Sequence, residues 1–107
     1  MKKIPPAVRY EKSLYADLKD PKEAVAYLNA SLGEAEKEDD PNLFLLALYH
    51  VARARGFKKT AQGAKLHRVS LNRMLSKGGN PEWKSLFRVL MASRLKLRVE
   101  TERPLAA

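Results

Sequence analysis

Arg68, Val69, Asn72 and Arg73 fall at positions i, i+1, i+4 and i+5, which share one side of a helix. On that side a guanidinium can bridge two acceptors of a guanine, a carboxamide can address adenine, and a branched apolar group can meet a thymine methyl. Leu71, Met74 and Leu75 fall on the other side, where they hold such a helix to a core. Arg68, Val69 and Arg73 are therefore expected to read base edges. Lys58 and Lys59, at the amino end of a preceding short helix, and Asn72, Lys77 and Asn80 around the second are placed to hold phosphates, helped by exposed helix-terminal amides.

Other chemistry is thinly supplied. The chain has no cysteine, which removes disulfides, thiol nucleophiles and thiolate metal ligands. His50 and His67 stand without carboxylates at ligand spacing, so no metal is expected. His50 adjoins an apolar run and reads as a structural histidine rather than a catalytic one. Glu34, Glu36, Glu38, Asp39 and Asp40 could bind a basic partner or a cation, but read more simply as a solvated helix end with its caps. No nucleophile, general-base pair or phosphate loop is recognisable, so the chain is expected not to be an enzyme and to need no cofactor.

The charge distribution agrees with a nucleic-acid partner. Of 107 residues, 1–57 hold 9 basic and 9 acidic side chains, whereas 58–107 hold 12 basic and 3 acidic, so the whole net charge of +9 lies in the second half. Because the basic residues interleave with a helical apolar pattern, they form a folded face that can neutralise phosphates and release counterions. Hydrophobic content of 45% and charged content of 31% suit a folded single domain. No apolar run approaches the ~20 residues needed to span a bilayer, and Ile4-Pro5-Pro6 is followed by Arg9, Glu11 and Lys12 where a signal peptide would be apolar. A cytoplasmic protein is expected.

The elements that must position these residues are marked by their ends. Residues 1–19 carry adjacent prolines and scattered aromatics, and read as an arm with a turn of structure near Ser13 to Leu18. Asp20-Pro21 caps a helix running to about Lys37, with a stripe of Val25, Leu28, Leu32 and Ala35. Asp40-Pro41 opens a second, ended by Arg55 and a left-handed Gly56; from Leu43 to Tyr49 it has no wet face and must be covered on more than one side. Two short helices, about 58–64 and 67–76, must cross steeply, with small Ala61 at the crossing and Leu66 plugging the corner; this is a helix-turn-helix. Gly78-Gly79-Asn80-Pro81 then ends one helix and caps another, whose stripe of Trp83, Leu86, Phe87, Leu90 and Met91 is assigned to the core rather than to base stacking. Beyond Arg94, Leu95, Leu97 and Val99 alternate with Lys96, Arg98 and Glu100, as in a short strand or extended tail.

The segments DPKEAVAYLNASL (20–32), DPNLFLLALYHVARARGFKKTA (40–61) and LHRVSLNRMLSKGGNPEWKSLFRVLMASRLKL (66–97) closely resemble the addiction-module antidote proteins, HigA-like antitoxins with a Cro/repressor-type DNA-binding domain. The resemblance implies a dimeric, all-helical antitoxin that neutralises a small RelE/ParE-like toxin encoded beside it and represses their shared operon. Where that family has glycine in the turn and serine capping the recognition helix, this chain has Lys65 and His67. Lys65 must take a left-handed backbone, at about 1 kcal/mol, or the turn must be reshaped; His67 is a weaker cap than serine.

The expectation is an all-α protein of about five helices with a Cro/repressor-like helix-turn-helix near 58–76, an arm at 1–19, a helical DNA-binding domain at 20–95 and an extended tail at 96–107. Its expected partners are double-stranded operator DNA, the toxin and a second copy of itself, with the toxin meeting the arm and the Pro21 helix. The alternatives are a stand-alone phage-type repressor and an RNA-associated helical protein; a lack of exposed aromatics argues against the second.

Overall fold

The computed structural model describes residues 6–76 and 78–102. Six helices follow one another, α1 (Pro6–Leu18), α2 (Pro21–Glu38), α3 (Asn42–Arg55), α4 (Phe57–Gly63), α5 (Arg68–Leu75) and α6 (Trp83–Ala92), and the described residues contain no strand. The all-helical class is as expected. The sixth helix is α1, which occupies most of the stretch read as an arm. Adjacent prolines, mixed charge and scattered aromatics favour an arm, yet a proline is tolerated in the first helical turn, where its missing amide would have no partner. Leu18 of α1 is 1% exposed, and α1 packs on both α2 and α3, so the C-terminal end of this helix joins the core.

The helix starts follow the local chemistry of their caps. Asp20 Oδ1 accepts a hydrogen bond from the Lys22 amide at 3.0 Å, with Pro21 opening α2. Asp40 Oδ1 does the same for the Asn42 amide at 3.1 Å before α3. Between them, Asp39 closes α2 in the left-handed conformation (φ 53) and the Asp40 amide donates to the Ala35 carbonyl. Asp39 and Asp40 thus have the structural roles of a helix junction. At the next junction Gly56 takes φ 109, a conformation that L side chains rarely adopt, which lets α4 begin at Phe57 without an intervening loop.

α3 lies at the centre, against α1, α2, α4 and α5. Its Leu48, Val51, Ala47 and Ala52 are all at most 2% exposed, and they join Leu18, Leu28, Leu71, Leu75, Val89 and Leu90 in one core. Burying a leucine of this kind stabilises by roughly 1.5–3 kcal/mol. Coverage is not complete: Leu46 remains 51% exposed. Two other stripes are rotated from their expected faces. On α2, Ala24, Leu28 and Ala35 are buried while Val25 and Leu32 are exposed.

On α6 the departure is larger. Val89 and Leu90 enter the core, Leu86 is half-buried, and Trp83, Phe87 and Met91 are 61%, 43% and 43% exposed, so their assignment to the core is corrected. Apolar residues occupy six of the first nine positions of this helix, more than one face can hold, and among the described helices α4 is the one whose backbone lies against α6. The face next to α4 is buried and the other is not. The Trp83 and Phe87 rings touch each other instead, with centroids 5.6 Å apart.

Candidate nucleic-acid interface

α4 and α5 are joined by the turn Ala64–His67, and both pack on α3. Ala61 and Ala64, 0% and 1% exposed, leave room for the close crossing, and the half-buried Leu66 packs against the core at the corner. The Leu66 amide donates to the Ala61 carbonyl at 2.9 Å, which folds the turn back on α4. Lys65 takes φ 59. The chain therefore keeps the left-handed turn despite a lysine there, and bears the cost of a Cβ in that conformation, about 1 kcal/mol.

This crossing fixes the faces of α5. Leu71, Met74 and Leu75 are buried, whereas Arg68, Val69, Asn72 and Arg73 are exposed, Val69 by 69%. All three candidate base readers therefore project from one short helix into solvent. His67 precedes them with extended backbone (φ −73, ψ 149) and makes no side-chain capping bond, so the first amides of α5 remain open to an acceptor from outside. Ser70 also belongs to this surface and was missed: it is exposed one turn before Arg73, and its i−3 spacing from that residue is the signal that could have found it.

The candidate phosphate contacts lie on two sides. Lys58 and Lys59 are exposed at the amino end of α4, where Lys59 borders a small pocket with Arg55, Ala92 and Ser93. The Arg55 guanidinium donates to the Ser93 carbonyl at 3.0 Å, tying the end of α3 to the end of α6 beneath these lysines. Asn72 is exposed on α5 itself. Asn80 lines a shallow depression with Ser70, Arg73, Ser76 and Gly79, which brings it beside a base-reading candidate. Gly79 makes that approach possible, because a Cβ there would lie 2.8 Å from the Arg73 carbonyl and closer still to that of Met74. Asn80-Pro81 does not cap the next helix: Glu82 keeps ψ 143 and α6 begins at Trp83. Lys77 lies outside the described residues.

His50 lies away from this surface. Its Nδ1 and the Tyr27 hydroxyl are 2.6 Å apart and hydrogen-bonded, and the rings of Tyr15 and Tyr49 approach it at 6.1 Å. Burial holds the His50 pKa below its ordinary value, with the Glu11 carboxylate acting in the other direction to a smaller extent. The Tyr27–His50 bond joins α2 to α3. No group of three or more His, Asp or Glu side chains among the described residues is arranged to hold a metal ion. Likewise, none of the described helices is long and apolar enough to cross a membrane.

Three comparisons with known proteins bear on this arrangement. A family model described as "Probable addiction module antidote protein" matches residues 9–101. An uncharacterized protein of Haemophilus influenzae is 36% identical over 72 residues, which cover 67% of this chain and 74% of the relative. No solved structure matches the chain.

Proposed function

The chain belongs to the family of probable addiction module antidote proteins, and from that premise we propose that it is a HigA-like, cytoplasmic antitoxin, binding operator DNA through α4 and α5 as a helix-turn-helix. In this reading it neutralises a RelE/ParE-like toxin encoded beside it and represses their shared operon. The observation that carries the DNA half is the division of α5: Leu71, Met74 and Leu75 inward, Arg68, Val69, Asn72 and Arg73 outward, within a half of the chain that is net +9. At eight residues, α5 is ~12 Å long, and the major groove is about 12 Å wide.

Arg68 and Arg73 donate to guanine edges, Val69 packs on a thymine methyl, and the open amides of α5 with Lys58, Lys59, Asn72 and Asn80 hold the backbone in register. A two-fold dimer sets two such helices ~34 Å apart on a palindrome. The toxin meets the neutral half, on the exposed faces of α1 and α2, and is kept from its substrate by occlusion. Because Leu18 is core, deleting 1–19 would unfold this surface; substitutions of exposed Glu11, Lys12 or Asp17 are the proper probes.

Co-expression with the product of the neighbouring gene tests the toxin half. Relief of growth arrest, together with a partner-dependent change in binding to the upstream duplex, supports the antitoxin. Duplex binding indifferent to that product favours a stand-alone repressor. One observation favours a second reading: Trp83 and Phe87 are exposed, which removes the argument against an RNA partner. Tighter binding to single-stranded RNA than to duplex DNA, lost in Trp83→Ala, is the outcome that reading requires.

A further inference from the structure

The chain leaves α6 through Arg94, whose φ of 60 turns it sharply, and the Leu95 amide then donates to the Leu90 carbonyl at 3.0 Å. Leu95 packs half-buried against the core, so the root of the following segment is fixed to the domain. From Lys96 to Glu102 the sequence reads KLRVETE, alternating charged with uncharged residues, the period of a strand. Every one of these residues is exposed, Val99 by 96%, and among the described residues none makes a backbone hydrogen bond. The segment borders a groove whose other wall includes Val25 and Leu32, the apolar side chains of α2 that the core leaves uncovered.

The order of charges in this segment is self-complementary. We propose that residues 96–102 are the edge along which two copies of the chain pair, as an antiparallel ribbon centred on Val99. With Val99 on the two-fold axis, Arg98 lies opposite the partner's Glu100 and Lys96 opposite the partner's Glu102, and symmetry repeats both pairs. All four charge pairs fall on one face and are of opposite sign. The other face carries Val99 against itself and Leu97 against threonine. No neighbouring register does this: a slip that centres the ribbon on Arg98 or Glu100 sets like charge on like charge at the axis, and a parallel pairing sets every charge against its own kind. The pattern selects its own copy, because a partner of another sequence would have no reason to carry the same inverted order of charge.

This rests on the reading of the chain as a dimer and specifies where the copies meet. It also gives a role to the alternating tail that DNA recognition does not use, since an edge with free amides and carbonyls is a template for strand pairing.

The test is sedimentation of the full chain, free and on its operator duplex, for wild type, Arg98→Glu, Glu100→Arg and the double variant. Either single swap replaces two attractive pairs by two repulsive ones and should weaken dimerisation by about tenfold. The double variant re-forms both pairs with inverted sign and should return to within about threefold of wild type. These side chains are exposed and outside the helices, so the helical circular dichroism should not change. Dimerisation indifferent to all three variants would overturn the ribbon and leave the dimer itself standing. A wild-type chain that is monomeric in solution and binds one copy per duplex would overturn both. Loss of binding to the neighbouring gene's product, with dimerisation unchanged, would assign the edge to the toxin and likewise overturn the proposal.

Discussion

The helices of the neutral half are 13, 18 and 14 residues long; those of the basic half are 7, 8 and 10. The first three supply Leu18, Leu28, Leu45, Leu48 and Val51 to the core, and the hydrogen bond between Tyr27 and His50 joins two of them. The last three contribute Leu71, Leu75, Val89 and Leu90 but leave Val69, Trp83, Phe87 and Met91 in solvent. Helices this short are not stable alone. The basic half therefore depends on α3 for its shape, and it carries the whole surplus of cations. One half is a platform, and the other carries the exposed cations on which the proposed DNA contact rests.

Leu48→Ala removes a fully buried side chain from the platform and should cost about 2–5 kcal/mol in denaturant unfolding, with nucleic-acid binding lost only in proportion to the unfolded fraction. A loss below about 1 kcal/mol would mean that α3 is not the centre of the fold. The division is sharpened by Arg68→Ala, which should leave unfolding unchanged while weakening operator binding by ~1–3 kcal/mol and relaxing base preference. Lys59→Ala should instead weaken all duplexes alike and lower the salt slope by about 1. If both variants lose the same amount on random DNA, the distinction between readers and phosphate contacts fails.

The platform should also show an acid-sensitive joint. Because burial depresses the His50 pKa in the folded chain, the unfolded chain binds more protons between that depressed value and about 6.5, and stability rises with pH across that window. Stability should thus fall as pH drops below about 6.5, and His50→Gln should flatten this slope in denaturation midpoints taken from pH ~5 to ~8. An equal slope in both proteins would place the acid sensitivity elsewhere. The smallest effect belongs to the turn between α4 and α5: Lys65→Gly relieves the left-handed backbone and should raise stability by at most about 1 kcal/mol, offset in part by unfolded-chain entropy. A loss of stability would show that the lysine stem contributes more than its backbone costs.

Much of this was legible because it is written in local chemistry. Asp20-Pro21, Asp40-Pro41 and Gly56 mark helix ends that the chain uses, and the buried trio Leu71, Met74 and Leu75 sets the exposed face of α5 by spacing alone. The illegible parts depend on tertiary neighbours. Nothing within Pro6–Leu18 announces that α3 will cover it, and Tyr27 meets His50 across 23 positions. α6 has apolar residues over more than one face, so periodicity could not choose which face α4 would bury, and it favoured Trp83 and Phe87 over Val89. The Asn80-Pro81 signal has the composition of a cap, but the backbone of Glu82 stays extended and delays the helix.

In the proposed function the basic face reads sequence as well as charge. The most direct test of this is a salt titration of the full chain on a duplex from its own upstream region and on a scrambled duplex of the same length. Log affinity should fall with log salt on both with similar slopes, since the phosphate contacts are shared, while the upstream duplex stays tighter by ~10³-fold or more throughout. Coincident lines at every salt concentration would contradict the account, leaving α5 as a charged surface that holds DNA without reading it.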